Sequence, residues 1–124
     1  MSCQLCNKPY PIFASKYFRV FRDKYPVTRG HLLAVSKQCV ANYWELSPSA
    51  LKELDEVLVE AKELLESKDP SITGFNIGMN CGKSAGQTVM HFHCHLIPRR
   101  DGDTPDPTGG VRGVIPSKQN YTLT

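Results

Sequence analysis

The chain has 124 residues, 40% of them apolar, and its 15 Lys and Arg residues against 12 Asp and Glu give a net charge of +3. This length predicts a single domain over residues 1–124, and the lack of a membrane-spanning run or signal peptide predicts a cytoplasmic protein that binds no membrane. The mild positive charge suits a small polyanionic ligand such as a nucleotide. The sequence lacks the clustered Lys and Arg residues typical of nucleic-acid binding.

The five cysteines are an odd number without a secretory context, which favours metal binding or free thiols over a disulfide framework. Cys3 and Cys6 form a Cys-x-x-Cys pair close to the N-terminus. A thioredoxin-like pair follows a strand and opens a helix, so this position argues against redox chemistry. A zinc site remains open, and it requires two further ligands.

The segments after the cysteines have the patterns of strands and of one long helix. Residues 17–23 alternate as a strand does, 24–30 form a turn, and 31–35 are a short buried strand. Ser47 and Pro48 predict a helix start, with serine as the N-cap and proline at the first helical position. Apolar residues at spacings of three and four then predict a helix that ends near residue 68.

The second half of the chain predicts two more strands and a tail. Residues 72–80 alternate as a strand, 81–87 form a tight loop with two glycines, and 88–98 form the strand that carries three histidines. From about residue 101 the composition changes to Asp, Gly, Pro and Thr, which predicts a flexible tail. Strands, one main helix and further strands favour an α+β class with an antiparallel sheet.

His91, His93 and His95 follow one another at two-residue spacing, so in a strand all three project to the same side. Their outer members lie about 13–14 Å apart in such a strand, which is too far for one metal ion to bind all three easily. A neighbouring pair remains able to share a metal. Divided roles for the three rings are the more natural interpretation.

A neutral imidazole is a good nucleophile toward phosphorus, and the central His93 suits that role. The loop over residues 80–88 offers amide, hydroxyl and lysine donors and an unhindered backbone, which suit a phosphate. The competing interpretation is that these histidines are ordinary core or surface residues. Cys94 faces away from them and is expected to be a small core residue.

Gly30-His31 and the run Gly86-Gln87-Thr88-Val89-x-His91-x-His93-x-His95-Leu96-Ile97-Pro98-Arg99 resemble the histidine-triad (HIT) superfamily of nucleotide hydrolases and transferases. The resemblance extends from about Cys3 to Ile97. It implies a HIT-like fold, with an antiparallel sheet of about five strands, one main helix and a short second helix. It also implies a homodimer, a small-molecule nucleotide substrate and no organic cofactor.

The same resemblance implies roles for individual residues. His93 matches the nucleophile that attacks the α-phosphorus and forms a covalent nucleotidyl intermediate, which water hydrolyses. His95 matches the histidine at the scissile phosphate, and His31 matches the upstream histidine that supports it. The implied nucleotide contacts are Asp23 to the ribose hydroxyls and three phosphate contacts: Asn80, Gln87 and Thr88.

One branch of the family carries a zinc ion on two N-terminal cysteines, the histidine of a Pro-Lys-x-His segment and the first triad histidine. Here that segment is Ser36-Lys37-Gln38-Cys39, in which cysteine replaces histidine and keeps a zinc ligand. The resemblance therefore implies a structural zinc on Cys3, Cys6, Cys39 and His91. Unligated reduced thiols are the alternative.

The sequence thus predicts a nucleotide hydrolase or nucleotidyl transferase that releases a nucleoside monophosphate from a dinucleoside polyphosphate or a nucleoside phosphoramidate. Two alternatives stay open: a zinc-dependent metallohydrolase that uses the histidine strand, and a non-catalytic nucleotide-binding signalling module. The tail around Arg112 resembles tails of a bacterial-type subset, and Arg112 is either a phosphate donor or part of a packed surface.

Overall fold

The computed structural model describes residues 3–121, so residues 1–2 and 122–124 of the predicted domain lie outside the described residues. Five strands form one sheet: β1 Phe13–Ala14, β2 Phe18–Arg22, β3 Leu32–Ser36, β4 Gly74–Gly78 and β5 His93–Arg99. Their spatial order is β1-β2-β3-β5-β4, and every neighbouring pair is antiparallel. The predicted α+β class with an antiparallel sheet is confirmed.

The single α-helix of the described residues, α1, runs from Pro48 to Lys68. The Ser47 hydroxyl accepts a hydrogen bond from the Ala50 N–H at 3.1 Å, which satisfies one free donor of the first turn. The predicted helix and its cap are confirmed. The predicted short second helix has no α-helical counterpart in the described residues, where the other helices are short 3-10 helices, the first of them at Tyr43–Glu45. None of the described helices has the length and apolarity needed to cross a membrane.

The core lies between α1 and one face of the sheet. It contains Leu54 and Val57 of the helix together with Phe18, Cys94 and Leu96 of the strands. Phe92 belongs to the same core, as the alternation predicted. Burial raises the pKa of the Cys94 thiol to about 12, as expected for an inert core cysteine.

The opposite face of the sheet is covered near β2 and β3 by the N-terminal segment. Leu5 packs there against Phe21, Leu33 and Val35, with Cys3 at the edge of this cluster. Side chains along β5 alternate between the two faces of the sheet. The buried Cys94 and Leu96 point to the helix, so His93 and His95 point away from it. This face, which α1 does not cover, therefore carries His93 and His95, the two strand histidines to which the sequence assigns chemistry.

Two segments differ from the sequence expectation. β5 begins at His93, five residues later than predicted, so His91 lies in a bend before the strand instead of in register with the other two histidines. The segment after Arg100 forms two 3-10 helices within the described residues, Gly110–Val114 and Pro116–Lys118. The Arg99 guanidinium anchors this segment through paired bonds of 2.8 Å to the Asp103 carboxylate. Its flexibility stays a prediction.

Candidate functional site

One hydrogen bond of His93 determines which of its ring nitrogens carries the proton. Its Nδ1 lies 2.8 Å from the carbonyl oxygen of His91. Because a carbonyl only accepts hydrogen bonds, the proton of the neutral ring is on Nδ1, and Nε2 keeps its lone pair. The ring is half-buried on the face of β5 opposite the core. This is the tautomer that an attacking imidazole needs.

His95 and His31 form a directed hydrogen-bonded pair. The Val27 N–H donates to Nδ1 of His31 at 3.1 Å, so the proton of the neutral His31 ring is on Nε2. That nitrogen lies 2.9 Å from Nδ1 of His95 and donates to it. The proton of His95 is therefore on Nε2. His93 and His95 lie side by side, with ring centroids 5.4 Å apart.

The surroundings of this pair keep both rings neutral near pH 7. Burial is the largest cause that lowers the pKa of His31, which is only 3% exposed, and Asp23 opposes the shift. Burial also lowers the pKa of His95, followed by the charges of His31 and His93, and Asp23 again opposes the shift. Neutral rings are the form in which the hydrogen-bond direction derived above applies.

The backbone conformation and close packing at position 30 explain why a glycine precedes His31. Gly30 has a φ of +93°, a conformation that L side chains rarely adopt, and a Cβ there would lie 3.2 Å from Cδ2 of Leu65 and 3.3 Å from Cγ of Pro98. Only glycine lets the chain pass this close to α1 and β5. The turn delivers His31 to the start of β3, beside His95.

Asp23 also lies with these histidines. Its Oδ1 accepts the Tyr25 N–H at 2.7 Å, and its Oδ2 lies 3.4 Å from Nε2 of His31 and 3.8 Å from Nδ1 of His95. Its side chain is 14% exposed. The structure thus brings Asp23, His31 and His95 together, and the ribose contact of Asp23 stays a prediction.

The side chain of Gln87 is used inside the loop instead of facing the histidines. Its Oε1 accepts the Gly82 N–H at 2.8 Å, and its Nε2 donates to the carbonyls of Ala41 and Val89. These bonds hold the loop over residues 82–89 closed. A phosphate contact at Gln87 therefore has to come from the main chain. Thr88 beside it is exposed.

Asn80 lines a cavity of about 580 Å³ that also contains His95. The sequence did not indicate the rest of its wall, which includes Ile77 from β4 and Val111 and Val114 from the tail. These valines are exposed and follow a Gly-Gly pair without strand or α-helix periodicity, so no local pattern placed them beside His95, and only the family resemblance of the tail around Arg112 indicated that this segment can lie near the site. The tail therefore forms part of the surroundings of the site.

The four predicted metal ligands converge at the other end of the histidine run. Cys3, Cys6, Cys39 and His91 each offer one ligand atom, and these atoms all lie within 4.8 Å of one another. Nδ1 of the fully buried His91 lies 3.1 Å from Sγ of Cys3 and 3.4 Å from Sγ of Cys6. Three thiols and one imidazole are a donor set that zinc prefers.

Hydrogen bonds around this cluster favour metal ligation. The Nε2–H of His91 donates to the Ser36 carbonyl at 2.7 Å, so the Nδ1 lone pair faces the thiols. The Cys6 N–H donates to Sγ of Cys3 at 3.3 Å. Hydrogen bonding among the thiols lowers the pKa of Cys6, chiefly through Cys3, which favours the thiolate that a metal binds. It raises the pKa of Cys39 to about 11, chiefly through Cys6, so this thiol would lose its proton only on binding the metal. The residues fit a zinc ion.

Comparison with known proteins gives one family. The sequence model of the HIT domain matches residues 8–102. The bis(5'-nucleosyl)-tetraphosphatase (asymmetrical) of Schizosaccharomyces pombe is 32% identical over 83% of this chain, which spans 59% of that protein's length.

Solved structures agree with this match. A HIT family protein from Bacillus anthracis superposes with a TM-score of 0.75 at 29% identity, over 82% of this chain and 75% of that one. A Zn-bound histidine triad family protein from Mycobacterium smegmatis superposes with a TM-score of 0.74 at 31% identity, over 85% and 84%.

Proposed function

The chain belongs to the HIT domain family, and we propose that it cleaves a nucleotide at its α-phosphorus and releases a nucleoside monophosphate. The proposed substrates are dinucleoside polyphosphates and nucleoside phosphoramidates, and the name of the S. pombe relative supports the former. The single observation that carries the proposal is the pair of tautomers: His93 offers an Nε2 lone pair, and His95 beside it offers an Nε2–H.

The proposed reaction has two displacements at one phosphorus. Nε2 of His93 attacks the α-phosphorus, and the bond to the leaving polyphosphate breaks with its electron pair on the departing oxygen. With a phosphoramidate the electron pair goes to the departing nitrogen, which takes a proton from solvent and leaves as an amine. The His91 carbonyl, which accepts the Nδ1–H of His93, stabilises the positive charge that develops on the ring. The Nε2–H of His95 stabilises the phosphoryl oxygens. Water then attacks the phosphorus, the P–N bond breaks, the electron pair returns to His93, and one proton leaves to solvent.

The nucleotide contacts belong to this proposal. Asp23 is proposed to bind the ribose hydroxyls, since a carboxylate accepts from two adjacent hydroxyls and each oxygen keeps a free lone pair. Asn80 and Thr88 are exposed and available to a phosphate. Gln87 contributes through its main chain, because its side-chain amide holds the loop.

The zinc ion is proposed to be structural. Four protein ligands, Cys3, Cys6, Cys39 and His91, fill the tetrahedral shell of zinc and leave no open position for water or substrate. The ion would tie the N-terminal segment to the region before β5 and contribute free energy of folding. Reduced, unligated thiols are the competing state.

The metallohydrolase alternative uses neighbouring histidines of the strand for a catalytic zinc, and of these His95 lies with two further possible ligands, Asp23 and His31, whose ligand atoms are close to its own. The Val27 N–H argues against this, because it occupies Nδ1 of His31 and leaves a proton on the nitrogen that faces the cluster. A metal bound to Nε2 of His31 would require either that this ring lose both protons, or that its proton move to Nδ1, where it would face the Val27 N–H. The geometry of Asp23, His31 and His95 therefore favours a proton between the two rings over a metal ion.

A turnover screen tests the proposal. Diadenosine polyphosphates and adenosine phosphoramidates are incubated with wild type, His93→Ala and the exposed helix control Asp55→Asn, and an acid-labile nucleotidyl adduct is trapped from labelled substrate. Product and adduct in wild type and in the control, and neither in His93→Ala, support covalent catalysis. Immediate loss after brief chelation, restored by zinc, supports the metallohydrolase. AMP binding without turnover supports the signalling module.

The homodimer and the cytoplasmic location stay predictions. β4 is one edge of the sheet, so its outer backbone groups are available for pairing with a second copy. Light scattering of the protein as it elutes from a size-exclusion column gives its molar mass and hence its oligomeric state.

A further inference from the structure

We propose that Asp23 is a positioning residue for His95, which it orients through the His31–His95 pair. This role rests on the proposed function, and it is additional to the predicted contact with ribose. The juxtaposition that carries it is a largely enclosed carboxylate beside the one hydrogen bond that joins the two rings.

Two hydrogen bonds hold Asp23 in place, one made by its backbone and one by its carboxylate. Asp23 follows β2, and its backbone N–H donates to the His31 carbonyl at 2.9 Å, which fixes the two residues side by side. Its Oδ1 accepts the Tyr25 N–H at 2.7 Å, and this bond turns Oδ2 toward the rings. Oδ2 then lies 3.4 Å from Nε2 of His31. Backbone bonds therefore aim this side chain before any substrate arrives.

The charge of Asp23 favours one arrangement of protons. A carboxylate repels a lone pair and attracts an N–H, and Oδ2 lies closer to Nε2 of His31 (3.4 Å) than to Nδ1 of His95 (3.8 Å). It therefore adds to the Val27 bond in stabilising the proton on Nε2 of His31, which donates to His95. That bond makes Nδ1 of His95 an acceptor and keeps its own proton on Nε2, facing the substrate. In other catalytic sites, too, a buried carboxylate holds an imidazole in one tautomer and orientation.

The first measurement separates positioning from ribose binding. Wild type, Asp23→Asn and Asp55→Asn are assayed with an adenosine phosphoramidate and with the matching dideoxyribose substrate, which has no ribose hydroxyls. A positioning role predicts a kcat loss of about tenfold or more in Asp23→Asn with both substrates. A loss confined to the ribose substrate, or confined to KM, overturns the proposal.

The second measurement needs no turnover. An imidazole nitrogen NMR spectrum of the zinc-loaded, substrate-free protein reports which nitrogen of His95 carries the proton. We expect Nε2–H in wild type, a partial shift of the His95 proton to Nδ1 in Asp23→Asn because the Val27 N–H then acts without the carboxylate, and recovery in Asp23→Glu, with thermal unfolding and zinc content as folding controls. Unchanged tautomers in Asp23→Asn overturn the proposal. If wild type turns over no substrate, the proposed function fails while this spectrum still decides the role of Asp23.

Discussion

Two clusters flank His93, and each contains a histidine held by one backbone group. In the cluster of Cys3, Cys6, Cys39 and His91, a carbonyl accepts the ring N–H and leaves a lone pair facing the thiols. In the cluster of Asp23, His31 and His95, the Val27 N–H occupies the lone pair of His31 and leaves an N–H facing its neighbours. The first cluster is therefore suited to a metal and the second to a proton.

The difference teaches that residue type and proximity do not decide what a cluster of histidines does. Both groups place potential ligand atoms within the same distance of one another. One hydrogen bond per ring, to an acceptor or from a donor, changes the group that the ring presents. His93 connects the two clusters, since it donates to the His91 carbonyl and lies beside His95.

The largest expected effect is that of His93→Ala, which removes the nucleophile and leaves both clusters intact. We expect activity to fall by about 10³-fold or more, because a covalent pathway cannot proceed without the attacking group. Zinc content should stay at that of wild type. Steady-state assays and elemental analysis measure the two. Activity within tenfold of wild type would remove His93 from the mechanism.

Cys39→Ala should weaken the metal cluster without altering the proton cluster. Loss of one of four ligands is expected to lower zinc content and to reduce the free energy of unfolding by several kcal/mol, on the order of other lost metal ligands. Cys39→His is the matched control, because it restores a zinc ligand at this position. Elemental analysis and denaturant unfolding report both quantities. Normal zinc content in Cys39→Ala would contradict the four-ligand assignment.

Gly30→Ala should disturb the proton cluster alone. The added Cβ meets Leu65 and Pro98 at a backbone φ of +93°, so a destabilisation of about 1–3 kcal/mol is expected together with lower kcat. Zinc content should not change, because the thiol cluster lies at the other end of the site. Gly102→Ala, also at positive φ but with open space around it, is the control for backbone strain. Equal effects of the two variants would show that packing at Gly30 is unimportant.

Local patterns in the sequence predicted the parts of the molecule that local physics determines. The cap at Ser47 and the apolar stripe behind it define α1 almost to the residue. Alternation along the histidine run correctly placed Phe92, just before β5, and Cys94, within it, in the core. Membership in the family and the grouping of four metal ligands came from motif resemblance, and the structure brings those ligands together.

The parts that the sequence did not predict depend on contacts between distant segments. His91 lies outside the strand, where its ring is hydrogen-bonded to the Ser36 carbonyl and contacts thiols more than 80 residues away in the chain. The position of Asp23 beside His95 depends on the pairing of β2, β3 and β5, which no local pattern encodes. No local pattern encodes the position of the tail residues that line the cavity with His95 either, although the resemblance of the tail implied that it can lie near the site.

The smallest expected effect is a pH dependence of stability that arises in the proton cluster. Burial lowers the pKa of His31 and His95 in the folded protein, so the unfolded chain binds more protons as the pH falls below the ordinary histidine value of 6.5. The free energy of unfolding should therefore decrease as the pH falls from about 7 through 6.5, and the decrease should stop below the folded-state pKa values. Each full unit of lowered pKa corresponds to about 1.4 kcal/mol. Denaturant unfolding of wild type and His95→Gln over this range, with zinc content checked at each pH, measures the contribution of His95. A pH slope equal in the two proteins would mean that the His95 ring titrates in the folded state as it does in the unfolded chain.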